Sequence, residues 1–485
     1  MKLNATGLAG VLVVGALTAG AFAAGSHFGP AKPVGHNLYH PTGTVQATGS
    51  RVALTSTTHP GATAQEPHSG GMASETDVAD DSGSAGPGAT FHQIYLLIKR
   101  YYVDAVPTDS KLGHGAAAAM VTSLGDPASR FVEAPEMAEL NGESKGEYKG
   151  IGAALAVRRV EHAKEGDLPE YTEYRLSIVA PLPGSPAEKV GLQPGDVITA
   201  VNGQWVYNDK FVYDQTKALK AMQEDPVSFN KLVTVLQKKI DGSISLADAQ
   251  TKLDDPAAKT IALSVSRNGA ALPTALTLDT TAPTVVSPVT ARSLPGGIGY
   301  VKIAQFTPTT DKDFATALTG FGTDPKGLIL DLRGSPGGLL DAGTAIAARL
   351  APVSSLGYVE TKGKKVTSIA VTAGQALTCP IAVLVNAGTA NTAELLASAL
   401  QSKGAKLVGS PTFGDASDVK IIQLRDGSGF TMTVGKLLTT TQTEFSGVGL
   451  KPDIAVPELV GVDEPLNRAI GVVSGRMAHI PTSRG

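Results

Sequence analysis

The sequence predicts a multidomain fold of mixed α/β and α+β class, with a helical N-terminal region, a β-rich middle domain carrying a helical insert, and an α/β core. Its 485 residues, 42% of them hydrophobic, suffice for about three domains with buried cores. Apolar residues recur at helical spacing from Phe91 to Leu124. Apolar strands alternate with helical segments from Pro288 to Pro457, which is typical of a layered α/β sheet. The net charge of −3 gives no indication of nucleic-acid binding, and we predict none.

Residues 1–24 have the features of an export signal. Lys2 precedes an uncharged stretch from Gly7 to Ala24, and Ala21-Phe22-Ala23 offers the small residues that signal cleavage requires. The stretch also approaches the minimum length for spanning a bilayer, so an uncleaved membrane tether is the alternative. Either outcome predicts an exported protein, periplasmic in a bacterium, that is soluble or anchored in the inner membrane.

Residues 25–90 are rich in Gly, Ala, Pro, Ser and Thr and show no sustained periodicity, so we predict a disordered linker. Five of the nine histidines fall here: His27, His36, His40, His59 and His68. A weak metal-binding tail is the alternative. The wide spacing of these histidines favours a solvated linker, and we predict no metal site and no cofactor.

Residues 91–145 are predicted to form a helical domain. The apolar spacing indicates one helix from Phe91 to Tyr101 and a second from Leu112 to Leu124, packed through their apolar faces. Asp126-Pro127 is predicted to end the second helix, because the residue before a proline disfavours helical backbone.

Residues 146–287 contain three short motifs. In order these are Gly150-Ile151-Gly152, Gly184-Ser185-Pro186-Ala187 and Gly195-Asp196-Val197-Ile198. Together they resemble a PDZ domain. The resemblance implies that the backbone from Gly150 to Ala153 binds the carboxylate of a peptide, which adds a strand to the sheet. The alternative is that the glycines only form a tight turn.

Residues 207–243 are an insert that departs from the usual PDZ pattern. Its many apolar residues predict additional helix packed on the domain, just before Leu246 to Leu253, the predicted helix beside the peptide groove. The insert could also cover the groove. The protein would then be a structural scaffold with no affinity for free C-terminal peptides.

Residues 288–460 are predicted to form the α/β core. One apolar strand ends at Asp331 and leads into a glycine-rich turn, Gly334 to Gly338. A second strand ends at Asn386 and leads through a small-residue elbow, Ala387 to Thr392, into a helix. Many hydrolases use a strand, an elbow and a helix in this order to place a nucleophile above the backbone amides at the start of the helix.

Two segments of this core resemble the carboxy-terminal processing, or tail-specific, serine peptidase family. They are Gly388-Thr389-Ala390-Asn391-Thr392-Ala393-Glu394 and Phe413-Gly414-Asp415-Ala416-Ser417-Asp418-Val419. In that family the first reads roughly G-S-A-S-A-S-E, with the middle serine as nucleophile, and the second reads F-G-K-G-x-V-Q, with a lysine base and an orienting glutamine. The likeness extends from about Phe91 to Val473.

The resemblance implies that all three catalytic positions are substituted. Asn391 stands at the nucleophile, Asp415 at the lysine and Val419 at the glutamine. In an active relative, backbone N–H groups at the positions of Gly337, Gly338 and Thr392 would stabilise the oxyanion.

The chemistry of these side chains also indicates that the site is inactive. The carboxamide of Asn391 cannot act as a hydroxyl nucleophile, and the carboxylate of Asp415 is a weak base that would repel a developing oxyanion. No histidine lies between Lys164 and Ala478 to replace the lysine. Asn391 with Glu394 is instead predicted to be a helix N-cap with a capping box.

The sequence therefore predicts an exported, catalytically inactive homologue that binds peptide or protein C-termini, with a C-terminal tail at 461–485 and an oligomeric state left open. The alternative is an active serine-type endopeptidase that processes exported proteins. In that case Thr389 or Thr392 would be the nucleophile, and Lys403, Lys406 or Lys420 the base.

Overall fold

The computed structural model describes residues 87–475, except for 127, 144, 166–169, 222–224, 256, 323–324, 375 and 459–460. Among the described residues, every helix falls short of the length or apolar character that crossing a bilayer requires. The predicted export signal, nearly all of the predicted linker and the last ten residues of the tail lie outside them. The described residues form two compact units, one up to Leu112 and one from Gly113.

The α-helices of the described part are α1 (Pro87–Tyr101), α2 (Asp109–Thr122), α3 (Ala134–Glu143), α4 (Pro186–Lys189), α5 (Asp209–Ala221), α6 (Pro226–Asp241), α7 (Leu246–Leu253), α8 (Thr310–Thr319), α9 (Leu340–Leu350), α10 (Thr392–Gln401) and α11 (Glu464–Val473). Within the described residues, a 3₁₀ turn spans Lys362–Lys364.

The strands of the described part are β1 (Arg130–Val132), β2 (Glu147–Tyr148), β3 (Ala153–His162), β4 (Tyr171–Pro181), β5 (Val197–Val201), β6 (Gln204–Trp205), β7 (Thr260–Arg267), β8 (Ala270–Ala271), β9 (Leu276–Asp279), β10 (Thr284–Val285), β11 (Val289–Leu294), β12 (Ile298–Ile303), β13 (Gly327–Asp331), β14 (Ser355–Thr361), β15 (Lys365–Ala370), β16 (Ile381–Val385), β17 (Lys406–Gly409), β18 (Ser417–Gln423), β19 (Gly429–Leu438) and β20 (Ile454–Ala455).

The two helices predicted from the spacing between Phe91 and Leu124 are α1 and α2. Phe91 of α1 is 45% exposed and Met120 of α2 is 66% exposed. In the first unit, the Lys99 ammonium and the Asp109 carboxylate form an ion pair of 2.7 Å. This pair is solvent-exposed and contributes little to stability.

The middle of the chain forms a seven-stranded antiparallel sheet in the order β3-β4-β5-β7-β8, with β6 on β5 and β9 on β7. Ile178, Ile198 and Leu263 lie in its core and are at most 2% exposed. The helix α7 lies at Leu246–Leu253, as predicted for the helix beside a peptide groove. The strand β3 is at the edge of this sheet, so its outer side can accept another strand.

The insert contains two helices, α5 and α6, packed through Leu219 and Leu236. The helix α5 packs on β4, and the ring of Tyr213 stacks on Tyr171 with 4.3 Å between ring centroids. Tyr171 lies at the end of the β3–β4 hairpin that is farthest from Gly150. The contacts of the insert therefore lie away from the predicted carboxylate loop.

The core is built on a six-stranded sheet in the order β11-β12-β13-β16-β17-β20, parallel except for β11. Helices α8, α9 and α10 cover one face, and α11 packs on the other. Residues Asp331 and Leu384 are register partners at the carboxyl ends of β13 and β16. Because parallel strands end at one edge, the turn after β13 and the elbow after β16 lie side by side, which is where open α/β sheets place their sites.

A second sheet, in the order β1-β19-β14-β15 with β18 on β19, lies beside the first. Its strand β1 comes from residues predicted to belong to the helical domain: Arg130 is the register partner of Thr431, and Val132 of Gly429. No local pattern indicates this pairing, because the two strands are far apart in the chain.

Candidate functional site

The turn after β13 and the elbow after β16 are joined by hydrogen bonds. The Asn386 side-chain oxygen accepts from the backbone N–H of Gly334 and of Gly388, each at 3.0 Å. The Ala390 N–H donates to the Ser335 carbonyl at 2.9 Å. Asn386 is thus a positioning residue for which the sequence predicted no role beyond the end of a strand.

The elbow has a strained backbone at Asn391, with φ 51° and ψ −120°. Positive φ is uncommon outside glycine, and at ψ −120° Asn391 lies outside the left-handed helical region where asparagine is usually found. As predicted, Asn391 is the N-cap of α10, and its N–H donates to the Glu394 carboxylate at 3.0 Å in a capping box. The residue predicted to stand at the nucleophile position is therefore held in a sharp strand-to-helix turn.

Both ends of the Asn391 carboxamide are engaged. Its oxygen accepts from the N–H of Thr392 at 3.0 Å, and its nitrogen donates to the Ser417 carbonyl at 2.8 Å. A Cβ added to Gly337 would lie 2.9 Å from the Thr392 nitrogen, so the predicted donors Gly337 and Thr392 do lie together. The carbonyl of Gly338 accepts from the Thr392 hydroxyl at 2.7 Å. The Thr392 N–H is already used by its neighbour's side chain.

Glu394 is completely buried and accepts hydrogen bonds from several groups at the elbow. Besides the Asn391 N–H, the backbone N–H groups of Gly414 and Asp415 donate at 2.8 and 3.0 Å, and the Thr412 hydroxyl also donates. Burial raises the pKa of Glu394 to about 8, although these hydrogen bonds oppose the rise. Through these hydrogen bonds the Glu394 carboxyl links the elbow to the segment from Thr412 to Asp415, which contains the predicted base position.

Asp415, at the predicted base position, is next to Asn391. Burial raises its pKa, while hydrogen bonds from Ser417 and the Asn391 side chain lower it. The Ser417 N–H donates to the Asp415 carboxylate at 3.1 Å. Val419 lies on β18 after a bulge, with 40% exposure and no hydrogen bond to the elbow. Of the three positions predicted to be substituted, the structure thus brings Asn391 and Asp415 together.

The two threonine hydroxyls proposed as alternative nucleophiles are buried and hydrogen-bonded. The Thr389 hydroxyl donates to the Leu332 carbonyl at 2.8 Å and accepts from the Asn386 N–H at 3.0 Å. The Thr392 hydroxyl donates to Gly338, as described above. Both residues are 0% exposed, so a substrate carbonyl has no access to either oxygen without a rearrangement.

The three lysines proposed as alternative bases do not reach the elbow. Lys406 pairs with Asp453, with 3.5 Å between nitrogen and oxygen. Lys403 and Lys420 are exposed, and within the described residues neither side chain donates a hydrogen bond to the elbow.

The seven-stranded sheet lies against the elbow. Val179 of β4 packs with Ala390 and Phe413, and the guanidinium carbon of Arg158 lies 5.5 Å from the centre of the Phe413 ring. A Cβ added to Gly388 would lie 3.1 Å from the Val179 carbonyl. Access to the elbow is therefore restricted from this side, which no local sequence pattern could predict.

The predicted carboxylate loop has two glycines with φ of +67°, Gly150 and Gly152. A Cβ on Gly150 would lie 2.3 Å from the Leu253 carbonyl, and one on Gly152 would lie 2.5 Å from the Ser185 Cβ. The turn itself thus requires glycine. The backbone N–H groups of Ile151 and Gly152 donate no hydrogen bond to any described residue.

A polar cavity of about 550 Å³ lies beside the two turns. Arg333 on its wall is held between Asp331 and Asp463, at 2.6 and 2.8 Å. Lys302 also lines it. Within the described part of the chain, no three His, Cys, Asp or Glu side chains are grouped so that they could hold a metal ion.

Comparison with known proteins identifies both folded regions of the second unit. Residues 297–456 match the model of peptidase family S41, and residues 177–222 match a PDZ domain model. The carboxyl-terminal-processing protease of Synechocystis sp. is 32% identical over 375 residues, which cover 76% of each chain. The carboxy-terminal processing protease CtpA of Bacillus subtilis is 30% identical over 366 residues, 75% of this chain and 67% of that protein.

Among solved structures, the photosystem II D1 C-terminal processing protease matches with a TM-score of 0.55 and 25% identity, over 80% of this chain and 92% of that one. The predicted mixed α/β multidomain fold, the PDZ resemblance and the peptidase resemblance are confirmed. The 32% identity to the Synechocystis protease extends over three quarters of this chain, which also has the strand, elbow and helix in the order described above. The chain therefore belongs to the carboxyl-terminal-processing protease family, within peptidase family S41.

Proposed function

We propose that this chain is an exported, catalytically inactive member of the family that binds the C-termini of peptides or proteins. The observation that carries the proposal is the state of Asn391. This residue keeps the strained elbow, but its carboxamide oxygen occupies the Thr392 N–H and its nitrogen is bound to Ser417. A carboxamide held in this way offers a substrate neither a nucleophile nor an open oxyanion donor.

The base position supports the same proposal. Asp415 supplies a carboxyl where the family has an ammonium, so its ionised form would repel a developing oxyanion. The buried, hydrogen-bonded hydroxyls of Thr389 and Thr392 make poor substitutes for the missing serine. The loss of nucleophile and base together typically leaves a rate several powers of ten below that of an intact enzyme.

Peptide binding is supported by the loop from Gly150 to Ala153. The N–H groups of Ile151 and Gly152 have no partner among the described residues, and β3 begins at this loop with its outer edge unpaired. Such a loop next to an edge strand suits a terminal carboxylate followed by an extended chain. The insert contacts the other end of the β3–β4 hairpin, which argues against the scaffold alternative.

The second candidate is an active endopeptidase that processes exported proteins. It is favoured by the relatives, which are named as carboxyl-terminal-processing proteases. It would require a rearrangement that releases a threonine hydroxyl at the elbow and brings in a base.

A cleavage assay separates the two candidates. The purified chain is incubated with an unfolded protein that has a free C-terminus, and products are identified by mass spectrometry. We expect no cleavage above background from the native sequence or from Asn391→Ser alone. The triple variant with Asp415→Lys and Val419→Gln should recover weak activity. Robust native cleavage that Thr389→Ala or Thr392→Ala abolishes would refute the inactive assignment.

Calorimetry tests peptide binding without substituting the loop, where any Cβ would disturb the turn. A peptide with a free apolar C-terminus should bind with micromolar affinity, about 8 kcal/mol, and its C-terminal amide at least tenfold more weakly. Equal affinities would exclude chain-end recognition. Absence of binding by both would favour the scaffold. Fractionation of host cells tests export, which predicts that the chain is outside the cytoplasm.

A further inference from the structure

The strand β15 is the last strand of its sheet. It pairs with β14, and no described strand lies on its other side. In an antiparallel pair, alternate residues turn both their N–H and C=O to the outer side. Five of the six side chains of Lys365–Ala370 are exposed, so no described part of the chain covers this edge. The edge therefore offers unpaired donors and acceptors to another extended chain.

Three lysines lie at the start of β15. Lys362, Lys364 and Lys365, here called the basic tip, are all exposed, and none forms an ion pair with a described residue. On the neighbouring strand, Glu360 is the register partner of Val366 on β15 and of Lys436 on β19, and the Lys436 ammonium lies 3.7 Å from the Glu444 carboxylate. The basic tip thus carries three positive charges that the described structure leaves unneutralised.

A cavity lies at the other end of the strand. Ala370 lines a space of about 560 Å³ between α8 and α9, together with Leu318, Ala345, Ala348 and the threonines Thr319, Thr344 and Thr372. Arg349 on its rim is paired with an aspartate of α8 at 2.7 Å, so it adds no unpaired charge. The leucine and alanine side chains on this wall can accept an aliphatic side chain, and the three threonines can bind a polar group beside it.

We propose that the basic tip, the outer edge of β15 and this cavity form one docking surface for an extended segment of another protein. The segment would be acidic at one end and apolar at the other, and it would add to β15 as a strand. From Lys365 to Ala370 the strand spans about 17 Å at roughly 3.3 Å per residue, so a segment of about six residues covers it. Carboxylates then lie at the basic tip while an aliphatic side chain fills the cavity.

A second copy of this chain fits the surface less well. Antiparallel pairing of two β15 strands would put the basic tip of each beside the cavity of the other, which satisfies neither charge nor apolar surface. Strand addition at β15 needs no free carboxyl end, whereas the binding proposed at the Gly150 loop does. Peptide binding at β15 therefore does not depend on the proposed function.

Fluorescence anisotropy tests the proposal with labelled six-residue peptides that are acetylated and amidated. They have two acidic residues at one end, β-branched residues in the middle and leucine at the other end; both orders are made to cover both strand directions. We expect one order to bind with micromolar affinity. The triple charge reversal Lys362→Glu, Lys364→Glu and Lys365→Glu should weaken binding at least tenfold. Lys259→Glu, which changes an exposed lysine of the PDZ domain, should leave it unchanged.

Two further measurements test the strand and the cavity. N-methylation of alternate peptide amides should abolish binding for one of the two alternating sets and spare the other, because only one set faces β15. Ala345→Phe should weaken binding by filling the cavity.

Several outcomes would overturn the proposal. They are failure of both peptide orders to bind, equal binding of both methylated sets, or no effect of the triple reversal. Binding of anionic lipid vesicles in place of the peptides, lost in the triple variant, would assign the basic tip to membranes. Light scattering that shows a native dimer dissociated by the triple variant would assign the edge to self-association.

Discussion

Replacement of Glu394 should show how far the elbow depends on one buried carboxyl. Four donors converge on it: the N–H groups of Asn391, Gly414 and Asp415, and the Thr412 hydroxyl. In Glu394→Leu each donor loses its acceptor, at about 1–3 kcal/mol for each one that stays buried. Even with two of them rehydrated, the loss is about 4 kcal/mol, a large part of a typical folding free energy of about 5–15 kcal/mol.

The assay is urea unfolding followed by circular dichroism, with Glu394→Gln as the matched control. Glutamine keeps one acceptor and nearly the same shape, so its variant should be the more stable of the two. A loss below about 1 kcal/mol in Glu394→Leu would refute the reasoning, because it would mean that the donors find other acceptors at no cost.

The pKa of Glu394 adds a pH dependence with a definite sign. Burial raises the pKa from 4.5 to about 8 in the folded protein, so the folded state holds a proton that the unfolded state loses. The free energy of unfolding should therefore fall as pH rises from about 4.5 to 8, by at most about 1.4 kcal/mol per pH unit. Glu394→Gln cannot titrate, so the stability difference between native and variant should shrink over this range. A constant difference would show that the carboxyl is ionised throughout.

Three other substitutions test the packing around the site. Arg130→Met should cost about 3–5 kcal/mol in urea unfolding, because the buried carboxyls of Glu136 and Asp254 lose their guanidinium partner; a smaller loss than in an exposed-lysine control would contradict this. The ring of His114 donates hydrogen bonds to the carboxylates of Asp426 and Glu133, which raises its pKa, so the thermal stability that His114→Gln loses should be largest below pH 6.5 and shrink as pH rises through the raised pKa; the opposite trend would disprove the assignment. Gly338→Val should prevent soluble expression or lower Tm strongly, since φ is +130° and a Cβ would lie 2.3 Å from a backbone carbonyl; a native Tm would contradict the backbone described here.

Local patterns predicted the parts of the site that local chemistry determines. The capping box of Asn391 and Glu394 follows from two residues three positions apart, and the structure confirms it. The helix at Leu246–Leu253 lies where the resemblance to a PDZ domain predicts the helix beside the peptide groove, and the structure shows that Ser245 caps it. The insert, predicted as additional helix, is two helices, and the second begins at Pro226 after the cap residue Asp225.

Contacts between distant segments were beyond sequence reasoning. Nothing near Arg158 indicates that its guanidinium lies over Phe413, and nothing near Asn386 indicates that it binds two turns at once. The exposure of α1 was also not predictable, because helical spacing shows which face is apolar but not what covers it. The substitution of Asn391, Asp415 and Val419 for catalytic residues stays a prediction that the cleavage assay tests.

The pairing of β1 with β19 has a consequence for how the protein folds. Register partners such as Arg130 and Thr431 are separated by most of the folded chain, so their meeting requires closure of a very long loop. Contacts of this kind form late and slow the folding of a domain. The second sheet of the core stays incomplete until a strand from the N-terminal region arrives. Proteolysis just before Gly146 should thus remove β1 and leave the second sheet of the core incomplete. During synthesis from the N- to the C-terminus, this sheet cannot be completed until the residues of β19 have been made.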